Sequence, residues 1–244
     1  NPQPRILANT FKFGFIENPQ PRIPANSLNF GFTETSTPKI PANSFKFDFT
    51  ENPSPEIPAN GFTHAGKFHA DDVFATALLQ ILRPDIRITR GFVVPEDFDG
   101  IVYDIGFGMF DHHQEPRETR ANGTPYAAFG LLWRVLGPGL VGERQARLID
   151  ENFIQPLDLN DNTGEQNSLC DAIGFFNPVW DSKEDQDACF FKAVAVAKQI
   201  LENQIESANA VNRADEKVQQ AYKNSRDGIV VLPCYLPWKN GLYK

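Results

Sequence analysis

Two rhythms of hydrophobic and polar residues divide this chain, and the change falls at Gly61. Before it, a 17-residue unit of the form NPxPxIPANSFxFxFTE recurs from Asn1, Asn18, Thr35 and Asn52. Pro4, Pro21, Pro38 and Pro55 keep register with Ile6, Ile23, Ile40 and Ile57. Each unit joins a proline-rich half that resists helix to a short alternating aromatic run such as Phe11, Phe13 and Phe15. Four such units carry little aliphatic mass for a core. Residues 1–60 therefore read as a disordered extension or as translated repetitive DNA, with an array of binding units as the third reading.

From Gly61 the pattern predicts strands alternating with helices. Strands are expected at Gly61–Ala65, Asp85–Arg90 and Gly100–Ile105, and a short buried one at Gly228–Leu232. Helices are expected at Asp71–Leu82, ending before Pro84, at Tyr126–Leu136 and at Glu143–Phe153. Asp187–Tyr222 reads as a long helical stretch, broken near Asn209–Asn212. This alternation implies an α/β fold, a doubly wound and largely parallel sheet whose ligands sit beyond the carboxyl ends of its strands.

Composition narrows the function classes. A chain of 244 residues can bury a sizeable core. No apolar run reaches the roughly 18 residues that suggest a membrane span, and no signal or transit pattern opens the chain. The only methionine is Met109, so the sequence reads as a fragment, a processed chain or a partial gene model. Cys170, Cys189 and Cys234 form no CxxC pair and suggest reduced thiols, with the cytoplasm as the default compartment. The net charge of −8 arises wholly after residue 60, and no basic stripe for holding long duplex DNA is evident.

The candidate chemistry lies in the histidines. All four, His64, His69, His112 and His113, fall within fifty residues, and each stands near an aspartate. In THAGKFHADD, a strand end, a glycine turn and a helix start bring His64, His69 and Asp71 to one point, while Asp72 is expected to cap the helix. Asp104 ends the strand IVYDI, where a buried charge must be paired or coordinate metal. Asp111-His112-His113-Gln114 follows, and LDLNDNTG adds loop aspartates Asp158 and Asp161, of which Asp161 is the metal candidate. Imidazole and carboxylate together suit divalent cations. Two such ions activate a shared water and clamp phosphate oxygens. Among rival motifs, the chain has no GxSxG elbow, P-loop or GxGxxG fingerprint.

The segments THAGKFHADDVFATALL, VYDIG, FDHHQ, YAAFGLLW, LDLNDN, FNPVWD and PWK resemble, in order and spacing, the MYG family (melanocyte proliferating gene type). That family is similar to the DHH phosphoesterases, which include exonucleases and inorganic pyrophosphatases. The resemblance covers Gly61–Lys244 and excludes the repeats. It implies a DHH-like metal-binding domain over 61–185. It also implies a linker helix and the start of a truncated C-terminal lobe over 186–244. It further implies 3′–5′ exonuclease action on RNA or short oligonucleotides, with two divalent ions, Mn2+ ahead of Mg2+. On this resemblance the metal ligands are His64, His69, Asp71, the bridging Asp104, His112 and Asp161. Asp111 would orient His112, and His113 would face the substrate phosphate as donor or general acid. The first motif departs from the DHH pattern H-x-x-x-D-x-D, because His69 stands where its first aspartate is expected. Two other readings stay open: a small-molecule phosphoesterase or pyrophosphatase, and a non-catalytic metal-binding fragment.

Overall fold

The computed structural model describes residues 56–225 and 229–239. The expected repeats therefore lie outside the described residues, apart from the last few positions before Gly61. Three strands, β1 (Asn60–His64), β2 (Arg87–Gly91) and β3 (Ile101–Val102), form one parallel sheet in the order β2-β1-β3. The helices are α1 (Ala70–Leu82), α2 (Ala128–Val141), α3 (Glu143–Ile149), α4 (Gln155–Thr163), α5 (Ser168–Gly174) and α6 (Gln186–Lys223). The chain is thus α/β with a small parallel sheet.

β1 is central because its middle is buried and both edges are paired. His64 stands in register with Gly91 on one side, and Phe62 with Val102 on the other. All three strands end toward the same edge, which gathers the β1–α1 turn, the residues after β2 and the segment 104–113. Asp104 caps this arrangement with φ of 57°, a left-handed conformation costing a non-glycine residue on the order of 1–2 kcal/mol. Gly66, at φ of 85°, makes the turn between His64 and α1.

The main core is a cluster centred on α1, whose residues 70–79 are buried on every face, and a smaller one gathers Ala214, Val218 and Leu236. α1 packs against α2, α4, α5 and α6, which accounts for the nearly continuous apolar run VFATALL. Phe74 stacks on Phe129, and Phe68 meets Phe190 edge to face. Helix α6 presents a stripe of Cys189, Phe190, Ala193, Val194, Ala197 and Leu201 to this core. It continues unbroken through residues 209–212, where Asn212 Nδ2 donates to the Val141 carbonyl. No helix among the described residues is long and apolar enough to cross a membrane.

Several boundaries differ from the expectation for local reasons. Helix α2 runs through Pro138 to Val141 before Gly142, at φ of 76°, turns the chain. The expected loop at LDLNDNTG is helix α4, entered through a π-turn at Asp150–Ile154. Pro156 fits there because the first helical turn needs no amide hydrogen from it. The strand expected at Gly228–Leu232 is not a buried one: Gly228 lies outside the described residues, while Ile229 and Val231 are exposed.

Candidate metal centre

Four anchors fix the pieces of the site. The loop from His64 to His69 is held by Arg90, whose Nη2 donates to the Gly66 carbonyl while its guanidinium lies over Phe190 and Nη1 pairs with Asp187. The same loop is clamped by Asn177: the Phe68 amide donates to Oδ1 at 3.1 Å, and Nδ2 donates to the Phe68 carbonyl at 2.9 Å. The segment FNPVWD thus supplies a brace for the histidine turn. Asp111 closes the turn after β3, accepting from the amides of Phe107 and His113. Finally, Arg120 bonds Asp150 and the fully buried Asp158 at 2.6–2.7 Å and stacks over Tyr126, pinning α4 beside the start of α2.

These anchors bring all eight expected residues to one edge of the sheet. His64 Nε2 lies 3.2 Å from Asp104 Oδ2 and 3.3 Å from Asp72 Oδ2. His112 Nε2 lies 3.1 Å from Asp161 Oδ2, and its Nδ1 lies 3.5 Å from Asp104 Oδ1 and 4.0 Å from Asp71 Oδ2. His113 Nδ1 lies 2.7 Å from Asp111 Oδ1 and 3.7 Å from Asp104 Oδ1. His69 stands further out, half exposed, with Nδ1 3.7 Å from Asp161. Asp104 is the common neighbour of His64, His112 and His113.

Asp71 has a second attachment. Its two oxygens accept from the amides of Ala128 and Phe129 at 2.9 and 2.7 Å, so it caps the first turn of α2 while bordering His112. The Asp111 carboxylate bonds His113, not His112, which corrects the expected pairing: the closed turn puts Oδ1 beside the second histidine. Asp158 takes no part, because Arg120 neutralises it. Asp72 caps α1 as expected, accepting from the His69 amide at 2.8 Å through Oδ1, yet its Oδ2 faces His64. That second role is invisible in a linear sequence, since it depends on the angle between adjacent helical residues.

The electrostatics describe a cluster short of positive charge. Burial, with the neighbouring Asp104 and Asp161, pushes Asp71 well above the usual carboxylate range. Burial is also the main cause that raises Asp72 to about 7, despite the opposing pull of His64. Burial works to lower His64, but Asp104 and Asp72 outweigh it and raise the imidazole to about 9. Burial works to raise Asp161, and the facing His112 outweighs it, leaving Asp161 lowered. The Asp111 hydrogen bond raises His113.

Three buried polar atoms in this cluster have no hydrogen-bond partner: Asp72 Oδ2, Asp104 Oδ1 and His112 Nδ1. Unsatisfied buried groups of this kind are costly and demand an ion or water. His64 is also oriented for ligation. Its Nδ1 lies 3.0 Å from the Ala65 carbonyl, an acceptor only, so Nδ1 carries a hydrogen and Nε2 is the nitrogen that would ligate a cation once it gives up its proton. Two groups with suitably close donor atoms are His64, Asp72, Asp104 and Asp71, His112, Asp161, and a third joins Asp104 to Asp111, His112 and His113. The donor set of imidazoles and carboxylates fits a divalent cation.

Residues 62–244 match the model of the MYG1 exonuclease family, described as uncharacterised protein family UPF0160. The chain belongs to this family. Among its relatives, the MYG1 protein YER156C of Saccharomyces cerevisiae is 26% identical over an alignment of 235 residues, covering 75% of this chain and 68% of the relative. The MYG1 protein C694.04c of Schizosaccharomyces pombe is 27% identical, covering 74% of this chain and 69% of its own length. The human MYG1 exonuclease is 27% identical, covering 74% of this chain and 61% of its own length. No solved structure gives a significant match. The family match begins at Phe62, so the candidate metal-binding cluster falls wholly inside it and the repeats fall outside.

Proposed function

We propose that this protein is a metal-dependent phosphodiester hydrolase, an exonuclease acting on RNA or short oligonucleotides through a pair of divalent cations. The observation that carries the reading is the trio of orphaned buried atoms on Asp72, Asp104 and His112, set between facing imidazoles and carboxylates. The exonuclease names of the human and cattle relatives support the substrate class. The DHH-like doubly wound architecture belongs to the same proposal, supported by the parallel order β2-β1-β3.

Bound divalent ions supply a water made acidic enough to attack at neutral pH and a clamp for the phosphate oxygens. His64, Asp72 and Asp104 would hold one ion, Mn2+ for preference, and Asp71, His112 and Asp161 the other, with Asp104 between them. His113 is left for the substrate. Its Nδ1 donates to Asp111, and this bond makes the half-exposed ring hold its second proton more firmly than a free histidine does. Nε2 can then donate that proton to a phosphate or leaving oxygen. Around this edge Phe92 and Phe107 are exposed. Phe92 lies against Gly66, and Phe107 sits in the turn that Asp111 closes, so both are exposed aromatic residues on segments that carry the cluster and are candidates to stack on bases.

The test is hydrolysis of end-labelled RNA by the 244-residue chain with Mn2+, alongside pyrophosphate and dinucleotides. Metal-dependent release of mononucleotides is expected, and Asp104→Ala should abolish it. No cleavage of any phosphodiester, or equal cleavage by Asp104→Ala, would sink the proposal, and turnover of pyrophosphate alone would replace it with a small-molecule phosphatase.

A further inference from the structure

We propose that Asp72 is itself a ligand of the cation held by His64 and Asp104, serving as helix cap with one oxygen and as metal ligand with the other. This rests on the metal-dependent reading above, and it supplies the carboxylate that His69 displaces from the first motif.

Helix geometry separates the two acids. Asp71 and Asp72 are consecutive residues in the first turn of α1, so their side chains leave the axis about 100° apart. They cannot serve one point. Asp71 turns toward α2, where its oxygens accept from the amides of Ala128 and Phe129 and Oδ2 borders His112, on the other side of the cluster from His64. Asp72 turns toward β1. Its Oδ1 accepts from the amide of His69 in the reciprocal capping arrangement. A cap needs only that oxygen. Oδ2 has no hydrogen-bond partner, on a residue with no solvent exposure, and lies 3.3 Å from His64 Nε2.

That spacing fits coordination. Bonds of about 2.0–2.2 Å to nitrogen and oxygen put neighbouring ligand atoms of a tetrahedral ion about 3.4 Å apart. The separations of His64 Nε2 from Asp72 Oδ2 and from Asp104 Oδ2 are 3.3 and 3.2 Å. The imidazole is already turned with Nε2 inward by its bond to Ala65. Charge points the same way. Asp72 and Asp104 are both buried beside His64, His64 is the imidazole that Asp72 faces, and no Lys or Arg makes an ion pair with either carboxylate among the described residues. A divalent cation balances both. His69, by contrast, has its closest carboxylate in Asp161, on the other side of the cluster. The first motif thus hands its carboxylate role three residues along, from position 69 to position 72.

Asp72→Asn separates the two jobs, since its amide oxygen can still accept from His69 while the charge is gone. Asp72→Ser is the second variant, with a hydroxyl that accepts the same hydrogen. The full chain, stripped of metal, is titrated with Mn2+ by calorimetry, and bound manganese is counted after gel filtration. The unaltered chain is expected to bind two ions. In Asp72→Asn one ion should weaken by at least about 100-fold, beyond the ten- to hundredfold that follows loss of an outer-shell partner. The other should hold its affinity; His64→Gln should weaken the same ion as Asp72→Asn does, and the two changes combined should be non-additive. Asp161→Asn should remove the opposite ion. Two ions bound by both Asp72 variants within about threefold of the original affinities would overturn this role and leave the metal-dependent reading standing. An unaltered chain that binds no manganese would overturn both.

Discussion

On the proposed metal-dependent reading, the metal-free chain should lose stability as pH rises, and added cations should reverse most of that loss. The perturbation is a titration from pH 5 to pH 9 in chelator, repeated with excess Mn2+. In the metal-free chain Asp72 ionises near 7 when folded against an ordinary 3.8. Between those values the folded state binds more protons than the unfolded one, so stability declines with pH. At about 1.4 kcal/mol per pH unit, the part of this loss that falls between pH 5 and about 7 is on the order of 3 kcal/mol. Asp71, raised for the same reason of burial, adds in the same direction. His64 contributes stability that is fully present below 6.5 and lost as pH climbs through about 9. Asp111 and Asp161, both lowered, act only at acid pH, where their contribution is lost as they protonate. A domain of this size shifts by about 2–4 °C per kcal/mol, so the melting temperature should drop by about 10 °C or more over the range. With Mn2+ in place of the protons, the fall should shrink to what is left by Asp158, which burial raises to about 7 at a distance from the cations. The assay is differential scanning fluorimetry with and without metal. A metal-free profile that is flat or rises from pH 5 to pH 9 would refute the reasoning.

Other consequences follow from single residues. A methyl group at Gly130 would come within 1.9 Å of Asp158 Oδ2 and 2.7 Å of Arg120 Nη2. Gly130→Ala should therefore break the buried pair and cost about 3–5 kcal/mol in urea denaturation, whereas a loss under about 1 kcal/mol would mean that α4 is pinned by something else. Asp111→Asn, which weakens the hold on His113, should lower cleavage by about 10–100-fold with metal binding intact. Equal losses in both measurements would show Asp111 to be a ligand. Phe107→Ala should weaken single-stranded oligonucleotide binding by about 1–3 kcal/mol; fluorescence anisotropy showing no change would remove the stacking role.

The parts of this fold that sequence revealed are those with strong local rules. The helix start after His69 is marked by two acids and a continuous apolar run, and Asp104 stands out as a charge closing an apolar strand. The histidine clustering leads directly to the site, because imidazoles and carboxylates recurring side by side are the donor set that a divalent cation selects. Helix α4 was hidden because its inner face is not apolar: Leu157 and Asp158 are its buried residues, and Asp158 is made tolerable by Arg120, some forty positions away. The division of labour between Asp71 and Asp72 was hidden for a related reason. Only the packing of α2 shows that Asp71 is spoken for by two amides, and only the fold shows what Asp72 Oδ2 faces. Asn177 gives no signal of its own, since its partner Phe68 lies 109 residues away and is bonded through its backbone.

Whether these imidazoles and carboxylates grip divalent cations is tested most directly by anomalous scattering from crystals of the chain soaked in Mn2+. Two peaks about 3.5–4 Å apart are expected, one beside His64, Asp72 and Asp104 and the other beside Asp71, His112 and Asp161. Crystals with manganese bound elsewhere, or with no anomalous density between His64 and Asp161, would contradict that.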